Sequence, residues 1–239
     1  MTLEDWKSKF AFVLLRPEFL GNIGSTARAL KNFGFSDLRL VEAPKNFKDA
    51  EARKMSVGAF DILKAANNYD SLDQAVQDRQ FLLGTSSGKQ RLKPLLDLKE
   101  ALSEIPQGAR VAFVLGDERN GMRADELDRC HLAVRIPTAE AFPSLNLAAA
   151  VAIIAYELSQ YNRAAQVTAE PDLVSEAQTN ELFETLALLT EEIGFARKYN
   201  KEQNLLTVRQ FFNKARASQR EYEVLKGILH KAQLKLKEK

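Results

Sequence analysis

The stretch FAFVLLRPEFLGNIGSTARALKNFGFSDLRLV, residues Phe10–Val41, decides the fold. It opens with an apolar run, Phe10–Leu15, that ends in polar residues and a proline, as is typical of a buried strand. The two glycines of Gly21–Leu30 open a predicted helix that ends near Gly34. A second apolar run, Leu38–Val41, follows. A strand, a glycine-rich turn, a helix and another strand form the βαβ pattern of a parallel sheet.

Three further apolar runs continue this alternation. They predict strands at Gln80–Leu83, Val111–Leu115 and Leu132–Ile136. A predicted helix, Leu95–Ile105, lies between the first two. Because ligands of parallel sheets bind at the carboxyl ends of the strands, we expect the site in the loops that leave strands and carry small and polar residues. These loops are Gly21–Thr26, Gly84–Gly88, Gly116–Gly121 and Ile136–Asn146.

The stretch Phe142–Leu158, FPSLNLAAAVAIIAYEL, predicts a helix that is apolar on nearly every face. Ser144 is the expected N-cap, since its hydroxyl can accept a hydrogen bond from a free N–H of the first turn. The ten apolar residues from Leu147 to Tyr156 are too few to cross a bilayer, which takes about 20. A helix apolar all round is buried on both sides. We therefore expect a central helix or an oligomer interface.

The charge of the chain is unevenly distributed. Its 239 residues carry a net charge of +2, with 45% apolar and 28% charged residues. The segment from Phe195 to Lys239 nevertheless holds 12 Lys/Arg and 4 Asp/Glu. A basic tail on an acidic body indicates a polyanionic partner, although a solvated, lysine-rich helix surface would give the same count.

The single cysteine, Cys130, excludes an intrachain disulfide and favours a reducing compartment. The start, MTLEDWKSKF, has no apolar core of a signal peptide. We therefore expect a soluble, cytoplasmic protein without a membrane segment. Cys130 and His131 have no partners at metal-ligand spacing, so no metal site is predicted.

Apolar periodicity lapses over Ala164–Asp172, AAQVTAEPD, which indicates a domain boundary. The predicted domains are residues 1–165 and 172–239. Apolar residues at helical spacing predict that the second domain is all-helical. Its predicted helices are Asn180–Ile193, Leu205–Ala217 and Tyr222–Leu236.

The polar residues of the loops have structural as well as functional interpretations. The turn Gly21–Arg28 matches neither a P-loop nor a dinucleotide fingerprint, and Arg28 is either a surface residue or a phosphate ligand. Glu118 is either an acid in a turn or an acceptor for a ribose, a base or Arg28. Ser144 and Asn146 are either helix caps or site residues. A GxSxG elbow is absent, which disfavours a Ser/His/Asp hydrolase.

The order of these motifs resembles a known family. The segments GNIGSTARALKNFGF, GTS, LGDERNGMRADELDRC and IPTAEAFPSLNLAAAVAIIAYEL look like motifs of the SPOUT-superfamily RNA ribose 2′-O-methyltransferases. The segment TVRQFFNKARASQREYEVLKGIL resembles the helical extension of the TrmJ-like tRNA (cytidine/uridine-2′-O-)-methyltransferases. The resemblance covers nearly the whole chain.

This resemblance implies an α/β fold: a SPOUT-type parallel sheet with a trefoil knot near the C-terminal end of the catalytic domain, plus an all-helical extension. It also implies a homodimer with composite active sites, S-adenosylmethionine as cofactor and tRNA as substrate, methylated at an anticodon-loop cytidine or uridine. The extension would bind RNA and support dimerisation. By position, the cofactor residues would be Thr85, Ser86, Ser87, Gly116, Ile136, Pro143, Ser144 and Leu145.

In similar enzymes the arginine of the first motif is essential, and here that residue is Arg28. Because an arginine is effectively always protonated, we expect it to bind the adjacent phosphate and stabilise negative charge on the 2′-oxygen. Asn22, Glu118, Ser144 and Asn146 would orient Arg28 and the ribose. Two alternatives stay open on this fold: an rRNA 2′-O-methyltransferase and a non-catalytic RNA-binding protein.

Overall fold

Two structural units make up the chain in the computed structural model, which describes residues 3–87, 95–161, 172–195 and 201–237. The first unit comprises residues 1–76 and 81–171, and the second comprises residues 77–80 and 172–239. The predicted boundary falls largely within residues 162–171, outside the described residues. The domain limits 1–165 and 172–239 therefore stay a prediction. The sequence pattern did not indicate that residues 77–80 join the second unit.

The first unit is built on a parallel sheet of seven strands in the order β3-β2-β1-β6-β4-β7-β5. The central strands β1 and β6 are continuous apolar runs because both of their faces are buried. The prediction of a parallel α/β sheet is confirmed. The strands are β1 Phe10–Leu15, β2 Asp37–Val41, β3 Asn67–Tyr69, β4 Phe81–Thr85, β5 Leu95–Asp97, β6 Val111–Leu115 and β7 Leu132–Arg135.

Eight helices surround this sheet in the described part of the first unit. They are α1 Leu3–Lys7, α2 Leu20–Asn32, α3 Ala50–Met55, α4 Phe60–Ala65, α5 Leu72–Val76, α6 Leu98–Ser103, α7 Ala124–Arg129 and α8 Leu147–Tyr161. Helix α2 lies directly against α3. The approach is so close that a Cβ on Gly24 would overlap the carbonyl of Ala52. This close packing holds the start of α2, with Gly21 and Asn22, in a fixed position.

The prediction of a helix over Leu95–Ile105 is wrong at both ends. Leu95–Asp97 is an edge strand that pairs with β7, and α6 ends at Ser103. Asp97 and Glu100 form a capping box that starts α6 at Leu98. An apolar run that continues from a short strand into a helix has no break in hydrophobicity to mark the change.

Helix α8 buries one face within the chain. That face consists of Leu147, Ala148, Val151, Ile154, Ala155 and Leu158. On the other side Ala149 is exposed and Tyr156 is 48% exposed, although the Tyr156 ring meets Phe33 with centroids 5.9 Å apart. The expectation that α8 is buried on both sides is therefore not met within the described chain. Packing against α2 leaves a second apolar face open.

The second unit is helical, as predicted. Its helices are α9 Glu176–Glu192, α10 Lys201–Ala215 and α11 Gln219–Lys237. An apolar cleft of about 310 Å³ lies among them, with Leu182, Phe183 and Phe212 in its wall. The unit includes residues 77–80 because the carbonyls of Gln77 and Arg79 accept hydrogen bonds from the first turn of α9. None of the described helices is long and apolar enough to cross a bilayer.

Candidate active site

The loops that follow β4, β6 and β7 meet at one cleft of about 810 Å³. Two hydrogen bonds hold the first loop beside its neighbours: the Thr85 hydroxyl donates to the Val114 carbonyl over 3.3 Å, and the Ser86 N–H donates to the Val134 carbonyl over 2.9 Å. All eight residues implied for the cofactor line this cleft, namely Thr85, Ser86, Ser87, Gly116, Ile136, Pro143, Ser144 and Leu145. Their individual roles stay a prediction.

The loop after β6 is a tight turn closed by Asp117. The Asp117 carbonyl accepts the Gly121 N–H at 3.0 Å, and its carboxylate accepts the N–H groups of Arg119 and Asn120 at 3.1 and 2.6 Å. A Cβ on Gly116 would overlap the backbone of Gly121 and Met122, so only glycine fits there. The turn therefore presents Glu118 at a fixed position.

Glu118 anchors a polar network that crosses three elements. Its carboxylate accepts the Asn22 side-chain amide at 2.8 Å and the N–H of Glu18 at 3.0 Å. The Asn22 side-chain carbonyl in turn accepts the Asn146 amide at 2.9 Å. Three of the residues predicted for catalysis, which lie far apart in the sequence, are thus joined by direct hydrogen bonds.

The cap of helix α8 is Asn146, which corrects the expectation for Ser144. The Asn146 side-chain oxygen accepts the N–H groups of Ala148 and Ala149 at 3.0 and 3.2 Å. Ser144 lies too early in the chain to cap, because the helix begins at Leu147. It is instead exposed on the wall of the cleft.

Arg28 lies apart from this network within the chain. It is exposed on α2, six residues after Asn22, which in an α-helix corresponds to about 240° of rotation and about 9 Å of rise. Across the described ranges it has neither a hydrogen bond nor an ion pair. Its predicted orientation by Asn22, Glu118, Ser144 and Asn146 is therefore not seen within one chain.

Sequence reasoning missed a buried ionic cluster beneath the same loop. The Arg16 guanidinium donates to both carboxylate oxygens of Glu126, with the longer bond at 3.0 Å, and its Nε lies 3.7 Å from the Asp117 carboxylate. The hydrogen bond to Glu126 raises the pKa of Arg16 above its usual value. A charged residue directly after a buried strand was the only available sign.

Among the described residues, no group of three or more His, Cys, Asp or Glu side chains is placed to hold a metal ion.

Two family models match the chain. The model described as the SpoU rRNA Methylase family matches residues 9–156, which include every element of the cleft described above. The model of the tRNA methyltransferase TrmJ C-terminal domain matches residues 177–239, which hold α10, α11 and all of α9 except its first residue. Together the two models account for most of the chain.

Known relatives agree with these models. A tRNA (cytidine/uridine-2′-O-)-methyltransferase TrmJ of Sodalis glossinidius is 37% identical, over 91% of this chain and 88% of the relative. A tRNA (cytidine/uridine/adenosine-2′-O-)-methyltransferase TrmJ of Pseudomonas aeruginosa is 34% identical, over 92% of each chain. The crystal structure of TrmJ from Z. mobilis ZM4 superimposes with a TM-score of 0.83 at 27% identity, covering 93% of this chain and 98% of that one. The chain therefore belongs to the SpoU methylase family and, within it, to the TrmJ tRNA methyltransferases.

Proposed function

We propose that this chain transfers the methyl group of S-adenosylmethionine to the ribose 2′-oxygen of a cytidine or uridine in the anticodon loop of tRNA. The observation that carries the proposal is the cleft beside the Glu118 network: its wall holds all eight residues implied for the cofactor. The activity named for the Sodalis glossinidius relative supports the same reaction. The match of residues 177–239 to the TrmJ C-terminal domain favours tRNA over rRNA.

S-adenosylmethionine is the methyl donor of SpoU methyltransferases, and when bound it supplies an already activated methyl group. The residues of the cleft suit it. A volume of about 810 Å³ is in the range of small-molecule sites. The hydroxyls of Thr85, Ser86 and Ser87 can bind polar groups, while Ile136 and Leu145 can pack against an adenine ring. Pro143 has no N–H to donate, so its part is limited to its ring and carbonyl.

The Glu118 network serves the ribose. A 2′-hydroxyl is a poor nucleophile, so the chain must align it with the methyl group and assist the loss of its proton. Asn22 is held on one side by Glu118 and on the other by Asn146. Such double anchoring fixes the rotamer of Asn22 and keeps a polar surface ready for the sugar. Ser144, on the wall of the cleft, would contact both the cofactor and the ribose.

The chain acts as a homodimer in this proposal, with each site completed by the partner subunit. Two features support it: α8 leaves an apolar face open around Ala149 and Tyr156, and Arg28 has no ion pair or hydrogen bond among the described residues. In a dimer Arg28 would reach the site of the other subunit. The trefoil knot, which the resemblance to the SPOUT enzymes implies, belongs to the same proposal.

The helical unit, residues 172–239, would bind the tRNA and support dimerisation. Lysine and arginine side chains neutralise phosphates and release counterions, so that binding weakens as salt rises. The exposed basic residues of α10 and α11 are Lys214, Arg220, Lys226, Lys231 and Lys235. Lys226 is paired with Glu181 at 2.8 Å, so Lys214, Arg220, Lys231 and Lys235 are the residues best placed to reach a phosphate.

A methyl-transfer assay with the Arg28→Ala variant tests this proposal. Wild-type protein should transfer tritium from labelled S-adenosylmethionine to tRNA and not to rRNA. Arg28→Ala should abolish transfer, because the stabilisation of the 2′-oxygen is lost, and should leave cofactor affinity by calorimetry nearly unchanged. Near-normal turnover by Arg28→Ala would contradict the role proposed for Arg28 in stabilising the 2′-oxygen. Lack of cofactor binding by the wild type would favour a non-catalytic RNA-binding protein.

A further inference from the structure

Arg16 has an unusual place in the first unit. It is the residue directly after β1, its backbone has φ +48°, and its side chain is only 17% exposed. The left-handed region is one that non-glycine residues with long side chains rarely adopt. Such a conformation persists only where the surroundings determine it, which is often beside a functional site.

The side chain of Arg16 connects the turn after β6, which borders the cleft, with the start of α7. It donates to both carboxylate oxygens of Glu126, whose Oε2 also accepts the Arg123 N–H at 2.7 Å at the start of α7. Its Nε lies 3.7 Å from the carboxylate of Asp117, which closes the turn after β6. Arg16 thus joins the end of β1, the turn after β6 and the start of α7.

A second set of contacts also joins the loop after β1 to the turn after β6, here with the acceptor on the turn and the donors on the loop. Asp117 and Glu118 are neighbours on the turn after β6, and Glu118 accepts the N–H groups of Glu18 and Phe19 at 3.0 and 3.4 Å. Arg16, on the loop after β1, reaches across to Asp117. The position of the Glu118 carboxylate therefore depends both on its own hydrogen bonds to Glu18 and Phe19 and on the ion pair of Arg16 with Asp117.

The charges make Arg16 difficult to replace. The side chains of Asp117 and Glu126 are each only 9% exposed, and one guanidinium serves both. A planar fork can bind one carboxylate through two nitrogens and still present a third, whereas a lysine ammonium is a point charge. Without the guanidinium, two poorly exposed carboxylates would lose the cation that they share.

We infer that Arg16 is a positioning residue: through Asp117 and Glu126 it holds the turn after β6 so that Glu118 keeps Asn22 in place for the ribose. The inference rests on the proposed function, because it assigns Arg16 a part in that reaction. It predicts that loss of Arg16 acts on turnover, since a displaced Glu118 misaligns the sugar even when tRNA is bound.

The test compares Arg16→Met with a matched control, Arg39→Met. Arg39 is 11% exposed and paired with Asp37 through two nitrogens, at 2.9 and 2.8 Å, on β2. Both variants lose a partly buried, doubly bonded arginine, but only Arg16 is paired with a residue of the cleft wall, Asp117. Arg16→Met should lower kcat on tRNA about 10- to 100-fold, with the KM for tRNA unchanged, whereas Arg39→Met should change the melting temperature alone.

Two further variants complete the experiment. Arg16→Lys keeps a positive charge for the buried carboxylates, so it should fold even if Arg16→Met does not, and its kcat should still fall about tenfold. In an Glu118→Gln background, Arg16→Lys should reduce kcat less than about twofold further, because the two residues act through one carboxylate. Multiplying effects of the two substitutions, or an Arg16→Lys kcat equal to wild type, would overturn the inference.

The result also separates this inference from the proposed function. If the wild type methylates no tRNA, the proposed function fails, and calorimetry with S-adenosylmethionine then tests Arg16 by itself. In that case Arg16→Lys should weaken cofactor binding at least about fivefold through displacement of the turn at Gly116, and Arg39→Met should leave it unchanged. Equal affinities in both variants and the wild type would contradict the inference.

Discussion

Asn146 serves two purposes with the two ends of one amide. Its oxygen caps helix α8 by accepting the N–H groups of Ala148 and Ala149, and its nitrogen donates to Asn22. The start of the helix and the site are therefore positioned by the same side chain. A substitution that keeps the oxygen but removes the N–H donor should therefore affect activity without lowering stability.

Asn146→Asp should keep the cap and lose the donor. A carboxylate at a helix N-terminus is favourable, so the melting temperature should be at least that of the wild type, while turnover should fall at least about tenfold because Asn22 loses its anchor. Asn146→Ala should lower the free energy of unfolding by about 1 kcal/mol. Thermal denaturation and the tritium assay measure both effects. Wild-type turnover by Asn146→Asp would show that the bond to Asn22 is dispensable.

Gly116 and Gly121 should respond very differently to a methyl group. Gly116→Ala would push a Cβ into the backbone of Gly121 and Met122, whereas a Cβ on Gly121 would have nothing within 4 Å. Gly121→Ala should cost about 1 kcal/mol, because alanine is strained at φ +71°, with cofactor affinity retained. Gly116→Ala should lose at least about 3 kcal/mol and most of its cofactor affinity. Denaturant unfolding and calorimetry measure the two effects. Equal losses of stability and of cofactor affinity in the two variants would contradict this expectation.

At the residue scale, local rules predicted positions better than partners. The eight cleft residues lie where the loops after parallel strands meet, so the resemblance and the strand-end rule led to the same place. Ser144 and Asn146 both satisfy the local rule for a cap, and only the start of α8 at Leu147 decides between them. Arg16 escaped notice because its partner Glu126 is 110 positions away in the sequence.

Elements that carry their own periodicity were predicted well. The strand Phe10–Leu15 and the strand Val111–Leu115 have the limits that the apolar runs indicated. Strand β5 was missed because three residues that pair at a sheet edge are recognisable only from the neighbouring β7. Propensity is a weak guide where tertiary pairing decides the conformation.

The helices of the second unit are tied together by a Tyr222–Glu181–Lys226 cluster. Tyr222 is 2% exposed and donates to the Glu181 carboxylate at 2.5 Å, and Lys226 lies 2.8 Å from the same carboxylate. The hydrogen bond from Lys226, followed by that from Tyr222, lowers the pKa of Glu181 below its ordinary value of 4.5. The ionised form of Glu181 therefore stabilises the contact of α9 with α11.

This shift predicts how the second unit responds to acid. A carboxylate whose pKa is lower in the folded state stabilises above the unfolded pKa, and the stabilisation is lost as the pH falls through the folded pKa. The wild type should therefore exceed Glu181→Gln in stability at about pH 7, and the gap should close toward about pH 3. Hydrogen exchange of α9 and α11 measures it, with exposed Glu184→Gln as the control. A gap that stays constant with pH would contradict the assignment.

At the scale of the whole molecule, the sequence pattern predicted a helical second part and, within it, the basic segment of residues 195–239. It did not predict that residues 77–80 pair with the start of α9, since nothing local marks a segment for a distant partner. The open face of α8 is the physical counterpart of a sequence that is apolar all round. The proposed dimer would bury that face and would combine residues of two subunits in each site.

Complementation between inactive subunits tests the composite site. Arg28→Ala and Asn146→Asp should each be poorly active alone. If Arg28 acts in the partner's site, each mixed dimer contains one site with both residues intact. Since random pairing makes about half of the dimers mixed, activity should return to about a quarter of the wild type. Subunits are mixed, re-equilibrated and assayed with tritiated cofactor. No recovery, despite mixed dimers shown by native mass spectrometry, would place Arg28 in its own subunit's site.

The basic surface of α11 should control tRNA affinity. Lys231 and Lys235 are exposed and one helical turn apart. Replacing both with glutamine should weaken tRNA binding at low salt and reduce the slope of log K against log salt by about 1 to 2, with cofactor affinity unchanged. Filter binding across a salt series provides the measurement, and an unchanged slope would exclude these lysines from the RNA surface. Gln233→Ala on the same helix is the control.

Identification of the modified nucleoside tests the proposed reaction most directly. Purified protein, unmodified tRNA transcript and S-adenosylmethionine are incubated, and the RNA is digested and analysed by mass spectrometry. We expect 2′-O-methylcytidine or 2′-O-methyluridine in an anticodon-loop fragment, and neither nucleoside with Arg28→Ala. Methylation on a base, or in rRNA but not in tRNA, would contradict it.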